Sequence, residues 1–249
     1  MFFLFTLQYQ LMEKGISKTN NSIFQKEKTL SGKKALVIGG TSGIGFSVAQ
    51  SLLADGAYVT VTGRKKPLDL PKNSLNFIKF ESNSADIIKN ENVLIKSALC
   101  ECDILCICYG PFIQKPLHEM TNEDWLKISF DDYALPGVFT SYALKYMMKR
   151  KYGRIIFFGG TRTDSVRAYK TSAAYSGAKT GISVLVKSIA LQYGKFGITC
   201  NAILPGFTHD APKDTTEILP NDVANNVIFL LKSAELNGVL LNVDRGWNP

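Results

Sequence analysis

The sequence predicts a single α/β domain built on a doubly wound parallel sheet of about seven strands, with helices on both faces. Three observations carry this expectation. After Gly32, short apolar runs alternate with longer segments of helical period, the order expected of βαβ units. A glycine cluster from Gly39 to Gly45 falls directly between the first apolar run and the first amphipathic segment. The chain has 249 residues, 45% hydrophobic and 20% charged, which suits one layered domain with a continuous core and excludes a disordered or fibrous chain.

Taken in order, the apolar run Met1 to Leu7 is too short to span a bilayer. It also lacks the preceding cation and following cleavage pattern of an export signal. From Glu13 to Thr29 the composition turns polar, so residues 1–30 read as a flexible tail, with Met12 a candidate start of translation, and residues 31–249 as the domain. Strands are predicted near Ala35–Ile38, Tyr58–Thr62, Asn76–Phe80, Ile104–Cys108, Arg154–Phe158, Thr199–Leu204 and Val239–Val243, with helices in each interval. The first helix runs to about Ala54, a long one covers Ala173 to about Gln192, and another begins at Asp222.

Charge and cysteine content narrow the class of function. Lys and Arg number 29 against 21 Asp and Glu, a formal charge of +8, which suits anionic ligands. The cations are scattered and no basic stretch is interleaved with aromatics, so neither nucleic acid nor membrane is an expected partner. Five cysteines at this size point to a reducing, cytoplasmic setting. Four of them, Cys100, Cys102, Cys106 and Cys108, lack the paired C-x-x-C spacing of a zinc site, so no metal is expected, and Cys106 and Cys108 read as small apolar groups on one face of a strand.

The turn Gly39-Gly40-Thr41-Ser42-Gly43-Ile44-Gly45 has the chemistry of a pyrophosphate cradle. Glycine lets a ligand approach the backbone, and the first N–H groups and positive dipole end of a helix attract an anion. Its spacing, Gly39-x3-Gly43-x-Gly45, resembles the glycine turn of the short-chain dehydrogenase/reductase family, whose members have a Rossmann-type fold and bind NAD or NADP. The resemblance runs from about Leu30 to Pro249 and includes 3-oxoacyl-[acyl-carrier-protein] reductase-like members. It implies that Gly39, Thr41, Ser42, Gly43, Ile44 and Gly45 hold the dinucleotide. The family's threonine before the first glycine is Ile38 here, which removes a hydroxyl that braces a neighbouring strand.

About 20 residues past the glycines, where an NAD enzyme places an acid on the ribose, this chain has Thr62-Gly63-Arg64-Lys65-Lys66. A guanidinium there can hold the 2′-phosphate bidentately, so NADP(H) is expected rather than NAD, with Arg64 as the reader. Further cofactor contacts implied by the resemblance are Gly110 after the fourth strand, then Pro205, Gly206 and Thr208 after the sixth.

Tyr175-Ser-Gly-Ala-Lys179 lies on the long helix, so its tyrosine and lysine share a face. A phenol titrates near ~10; a unit charge ~4 Å away at an effective dielectric of ~20 is worth ~4 kcal/mol, which would lower it toward ~7 before desolvation opposes the shift. The resemblance makes Tyr175 the acid/base that exchanges a proton with the substrate oxygen. It makes Lys179 the group that acidifies the tyrosine and bonds the nicotinamide ribose. The family's carbonyl-orienting serine stands about thirteen residues before the tyrosine. Thr161 is the nearest hydroxyl, one position off that spacing, and Thr163 is a second candidate.

Other positions depart from the family. Its Asn-Asn-Ala-Gly is Ile107-Cys108-Tyr109-Gly110 here, and the relay asparagine seven residues past Trp125 is Asp132, either a relay acceptor or a surface acid. The usual substrate lid is reduced to His209–Asn221, which leaves the pocket open; His209 and His118 read as exposed. Ala174, Ala178, Gly181 and Ser188 offer small surfaces for a second subunit or for packing within the monomer, and a homodimer or homotetramer is expected. The leading function is NADP-dependent hydride transfer between nicotinamide and a small-molecule carbonyl or secondary alcohol, of ketone or 3-oxoacyl type. The alternative is a dinucleotide-binding scaffold or regulatory protein of the same fold with little or no catalysis.

Overall fold

The computed structural model describes residues 30–67, 75–82, 93–209 and 217–246. Seven strands form one parallel sheet: β1 (Lys34–Ile38), β2 (Tyr58–Gly63), β3 (Leu75–Lys79), β4 (Ile104–Ile107), β5 (Gly153–Phe158), β6 (Ile198–Pro205) and β7 (Leu240–Val243). Each predicted strand is present within two residues at its ends. The order is β3-β2-β1-β4-β5-β6-β7, so the chain winds outward from β1 to β3 and then returns to lay β4 beside β1. That reversal opens a crevice at the carboxyl ends of β1 and β4, where open α/β sheets bind ligands.

The described α-helices are α1 (Gly43–Ala54), α2 (Val93–Glu101), α3 (Asn122–Ser129), α4 (Leu135–Arg150), α5 (Ala173–Tyr193) and α6 (Pro220–Lys232). Residue alternation along β1 divides the core. Ala35 and Val37 face one cluster with α1 and α6, whereas Leu36 and Ile38 face the other with α2, α4 and α5. Helix α6 starts two residues before the predicted Asp222, because Pro220 needs no N–H partner in the first turn and the Asp222 side chain accepts the Leu219 N–H. Most of the predicted tail lies outside the described residues. Leu30 belongs to the core instead: it is buried and its N–H donates to Asp55, whose carboxylate also pairs with Lys232 at 2.6 Å.

Cys106 lies in the α1/α6 cluster and Cys108 packs against it, with both thiols pushed up by burial. Gly181 spends its small surface within the monomer, since a Cβ there would stand 2.9 Å from the Tyr133 ring, and Ala174 is buried as well.

Candidate active site at the carboxyl ends of β1, β4 and β5

The glycine turn is held from its neighbours. Gly39 has a φ of +76°, and a Cβ on it would meet the Cys108 carbonyl oxygen at 3.0 Å; one on Gly45 would lie 2.2 Å from the Gly39 carbonyl oxygen. Ile38 is fully buried, and the bracing hydroxyl comes instead from Thr62 on β2, which accepts the Gly39 N–H at 3.2 Å while the Thr62 carbonyl accepts Gly40. Thr41 packs over Gly63 at the end of β2. Ser42 caps α1 with extended backbone and makes no side-chain cap bond, Ile44 packs toward the α1/α6 core, and no acid stands in the first helical turn. The positive end of α1 is therefore left uncompensated beside a cradle only glycine fits, and a dinucleotide pyrophosphate suits it. Arg64, Lys65 and Lys66 are all exposed beyond β2.

Between α3 and α4, Phe130–Ala134 form a π turn. The cause is local: Pro136 lacks the N–H that would bond the Asp132 carbonyl one turn back, so the helical ladder loosens there. The turn carries both Asp131 and Asp132 inward. Asp131 accepts from Ser82, from the Tyr109 hydroxyl at 3.2 Å and from Lys127 at 2.8 Å. Burial raises the Tyr109 phenol to about 12. Asp132 is wholly buried, which removes the surface-acid reading, and its Oδ1 lies 2.9 Å from Lys179 Nζ. Neither Asp132 oxygen has a directed hydrogen bond among the described residues. Burial raises this carboxyl to about 6, with Lys179 pulling the other way.

Lys179, also buried, donates to the Phe158 carbonyl at the end of β5 at 3.0 Å, and its Nζ lies 5.7 Å from the centre of the Tyr175 ring. Gly110 makes the assembly possible. A Cβ there would fall 2.0 Å from Asp132 Oδ1 and 3.1 Å from Lys179 Nζ, so what the chain passes closely at this glycine includes an ion pair. Tyr175 stacks edge to face on Phe112 at 4.8 Å, and its hydroxyl would stand 3.3 Å from a Cβ at Gly160.

The electrostatics correct one expectation. Burial, and then the Asp132 carboxylate, hold the Tyr175 phenol above its ordinary value, not near neutrality. The lysine is one turn away as the spacing requires, but a carboxylate already faces its charge.

In the β5–α5 loop the Thr161 and Thr163 hydroxyls both have protein partners. Thr161 donates to Asp244 at 2.7 Å and its N–H bonds the Pro205 carbonyl. Thr163, buried, accepts the Gly160 N–H and donates to the Gly160 carbonyl. Arg162, at the serine spacing, has a φ of +68° and a buried Nε without a hydrogen-bond partner among the described residues. After β6, Gly206 bonds Val243, Thr208 donates to the Gly206 carbonyl and pairs with Ile218, and His209 lies 3.5 Å from Glu217. Most of the predicted short lid lies outside the described residues. Sequence reasoning missed Thr62, Asp131, Phe112 and Asp244; the adjacent Asp131-Asp132 pair before Pro136 was the available signal for one of them.

A doubly wound sheet with a glycine turn at its switch point and a lysine beneath a tyrosine is the layout of nicotinamide-dependent oxidoreductases. The sequence model of the short chain dehydrogenase family matches residues 33–217. The chain is 30% identical over 240 residues to a 3-oxoacyl-[acyl-carrier-protein] reductase of Rickettsia bellii, covering 87% of this chain and 97% of that one. It is 27% identical over 247 residues to a 2-dehydro-3-deoxy-D-gluconate 5-dehydrogenase of Formosa agariphila, covering 86% and 92%. In fold it resembles a short chain dehydrogenase from Leptospira borgpetersenii solved with NAD+ bound, at a TM-score of 0.77 and 23% identity over 88% and 93% of the two chains. The chain belongs to the short-chain dehydrogenase/reductase family, and it is an oxidoreductase of the kind that acts on CH–OH and keto groups.

Proposed function

We propose that this protein is an NADP-dependent reductase of ketones or 3-oxoacyl-type carbonyls. The observation that carries the reading is Lys179, fixed by the Phe158 carbonyl and Asp132 beneath the Tyr175 ring, at the same end of the sheet as the glycine turn. Gly39, Thr41, Ser42, Gly43, Ile44 and Gly45 would hold the pyrophosphate, and Gly110, Pro205, Gly206 and Thr208 would border the nicotinamide half. When bound, the cofactor supplies the hydride. Tyr175, whose phenol stays protonated at neutral pH, donates its proton to the carbonyl oxygen; Lys179 holds positive charge beside it. The test is turnover of β-ketoacyl thioesters, small ketones, quinones and keto sugar acids with NADPH. Tyr175→Phe is expected to lower kcat at least about 100-fold, the usual scale of a lost acid catalyst. Unchanged turnover in that variant rules Tyr175 out as the donor.

Arg64 and the absence of an acid at the end of β2 support NADP(H) over NAD. Arg64→Ala is expected to weaken NADPH binding roughly tenfold or more, the value of one charge-assisted bidentate contact, and to leave NADH nearly unaffected. Equal losses for both cofactors in a fluorescence titration contradict the assignment.

One observation favours a second reading, a dinucleotide-responsive scaffold: the Thr161 and Thr163 hydroxyls are engaged by Asp244 and by the Gly160 carbonyl instead of standing free for a substrate. NADPH binding with no turnover anywhere on the panel selects it. In either case we propose that copies of this chain pair through the surface of α4 and α5. A groove of about 530 Å³ lies there between residues such as Tyr133, Val138, Tyr142 and Leu185, with Val184 and Leu191 exposed nearby. All five cysteines are unbridged, which supports a reducing, cytoplasmic setting. Among the described residues no helix is long and apolar enough to cross a membrane.

A further inference from the structure

Asp132 faces the Lys179 ammonium directly, and the proposed chemistry gives its charge no role beyond holding that side chain. It is wholly buried, its Oδ1 is 2.9 Å from Lys179 Nζ, and Gly110 leaves room for that approach where any side chain would collide with it. Lys179 Nζ is thus engaged on one side by the Phe158 carbonyl and on another by a full negative charge. The charged and titratable groups around the Asp132–Lys179 pair are Tyr175 from α5, Asp131 from the same π turn, Lys127 from α3, and Cys108 and Tyr109 from the segment after β4. Lys127 is bonded to Asp131, so Lys179 is the cation that Asp132 opposes most closely.

We propose, on the reading of Tyr175 as the proton-exchanging group, that Asp132 is a positioning residue: it draws the Lys179 ammonium into an ion pair and so keeps Tyr175 a protonated donor. Coulomb's law gives the direction. Lys179 favours the phenolate and Asp132 disfavours it, and with both charges present the two influences offset within the same low-dielectric pocket. Removing the carboxylate charge while keeping its shape therefore releases the lysine's influence. The burial of Asp132 and the raised Tyr175 phenol agree with that sign. The consequence is a carbonyl reduction that runs into alkaline solution before its rate falls, since that limb marks loss of the donor proton.

The experiment compares the full-length protein with Asp132→Asn, each with and without Tyr175→Phe. The phenolate absorbance of Tyr175 is read as the difference between the paired proteins from about pH 8 to 12, a window that reaches above the ordinary phenol value because this phenol is raised. Asp132→Asn is expected to bring that titration down by about one pH unit, the effect of a unit charge roughly 10 Å away at an effective dielectric near 20. The alkaline limb of NADPH-driven reduction is expected to move down with it. Coincident absorbance curves, including two that stay flat across the range, overturn the proposal even if the variant is less active, because a purely structural defect moves kcat and leaves the phenol's titration where it was. If Asp132→Asn does not fold, judged by its thermal melt, Asp132→Ala carries the same comparison. Failure of every carbonyl substrate would count against the reductase reading alone, because the absorbance measurement needs no turnover.

Discussion

Gly45→Ala is expected to abolish useful dinucleotide binding, lowering affinity about thirtyfold or more, and to lower the melting temperature by several degrees. The new methyl would sit 2.2 Å from the Gly39 carbonyl oxygen, more than an ångström inside normal contact. Gly39 has nowhere to go. Its N–H is tied to Thr62 and its Cα faces the Cys108 backbone at the end of β4. The strain is therefore relieved by displacing the first turn of α1, the group of N–H donors that a pyrophosphate would use. Overpacking of this kind costs about 1–3 kcal/mol in stability. The control is Gly43→Ala, where the space is open and the burden is the φ of +51°, worth roughly 1 kcal/mol. Fluorescence titration with NADPH and thermal melts of both variants provide the check. An unchanged affinity in Gly45→Ala would falsify the placement of the phosphates at this helix end.

Lys179→Met is expected to leave stability close to that of the parent at pH 5 and to cost about 3 kcal/mol at pH 8, a drop in melting temperature of roughly 10 °C. The sign follows from Asp132, whose carboxyl is already raised to about 6 by burial with the lysine present. A carboxyl raised in the fold opposes folding as pH climbs from the unfolded value toward the folded one, and the penalty then levels off. In the parent that plateau begins just above pH 6. Without Lys179 the carboxyl rises further, and the penalty keeps growing by about 1.4 kcal/mol per pH unit for as long as the folded side chain stays neutral. At pH 5 the acid is mostly protonated in both proteins and the difference vanishes. Melting curves at the two pH values decide it, and a pH-independent loss would mean that only packing was removed.

The strands were legible because a parallel sheet covered on both faces needs continuous apolar runs, and Ala35–Ile38, Ile104–Ile107 and Arg154–Phe158 supply them. Helix α5 was legible for a related reason, since a four-residue spacing fixes Lys179 one turn from Tyr175 in any α-helix. What the sequence could not convey is where a charge finds its second partner. The Lys179–Asp132 contact joins residues on two elements through a π turn that depends on Pro136, and burial together with that carboxylate reverses the expected acidification of Tyr175. The Thr161 hydroxyl meets Asp244 across 83 residues, and the Thr62 brace crosses from one strand to its neighbour. Long-range pairings of polar groups leave no periodic trace.

The bond between Thr161 and Asp244 fastens the loop that leads into Tyr175 to the far end of β7. Asp244, just past β7, consequently forms a stay for the catalytic side of the molecule, and shortening its side chain would slacken the loop that Thr161 belongs to.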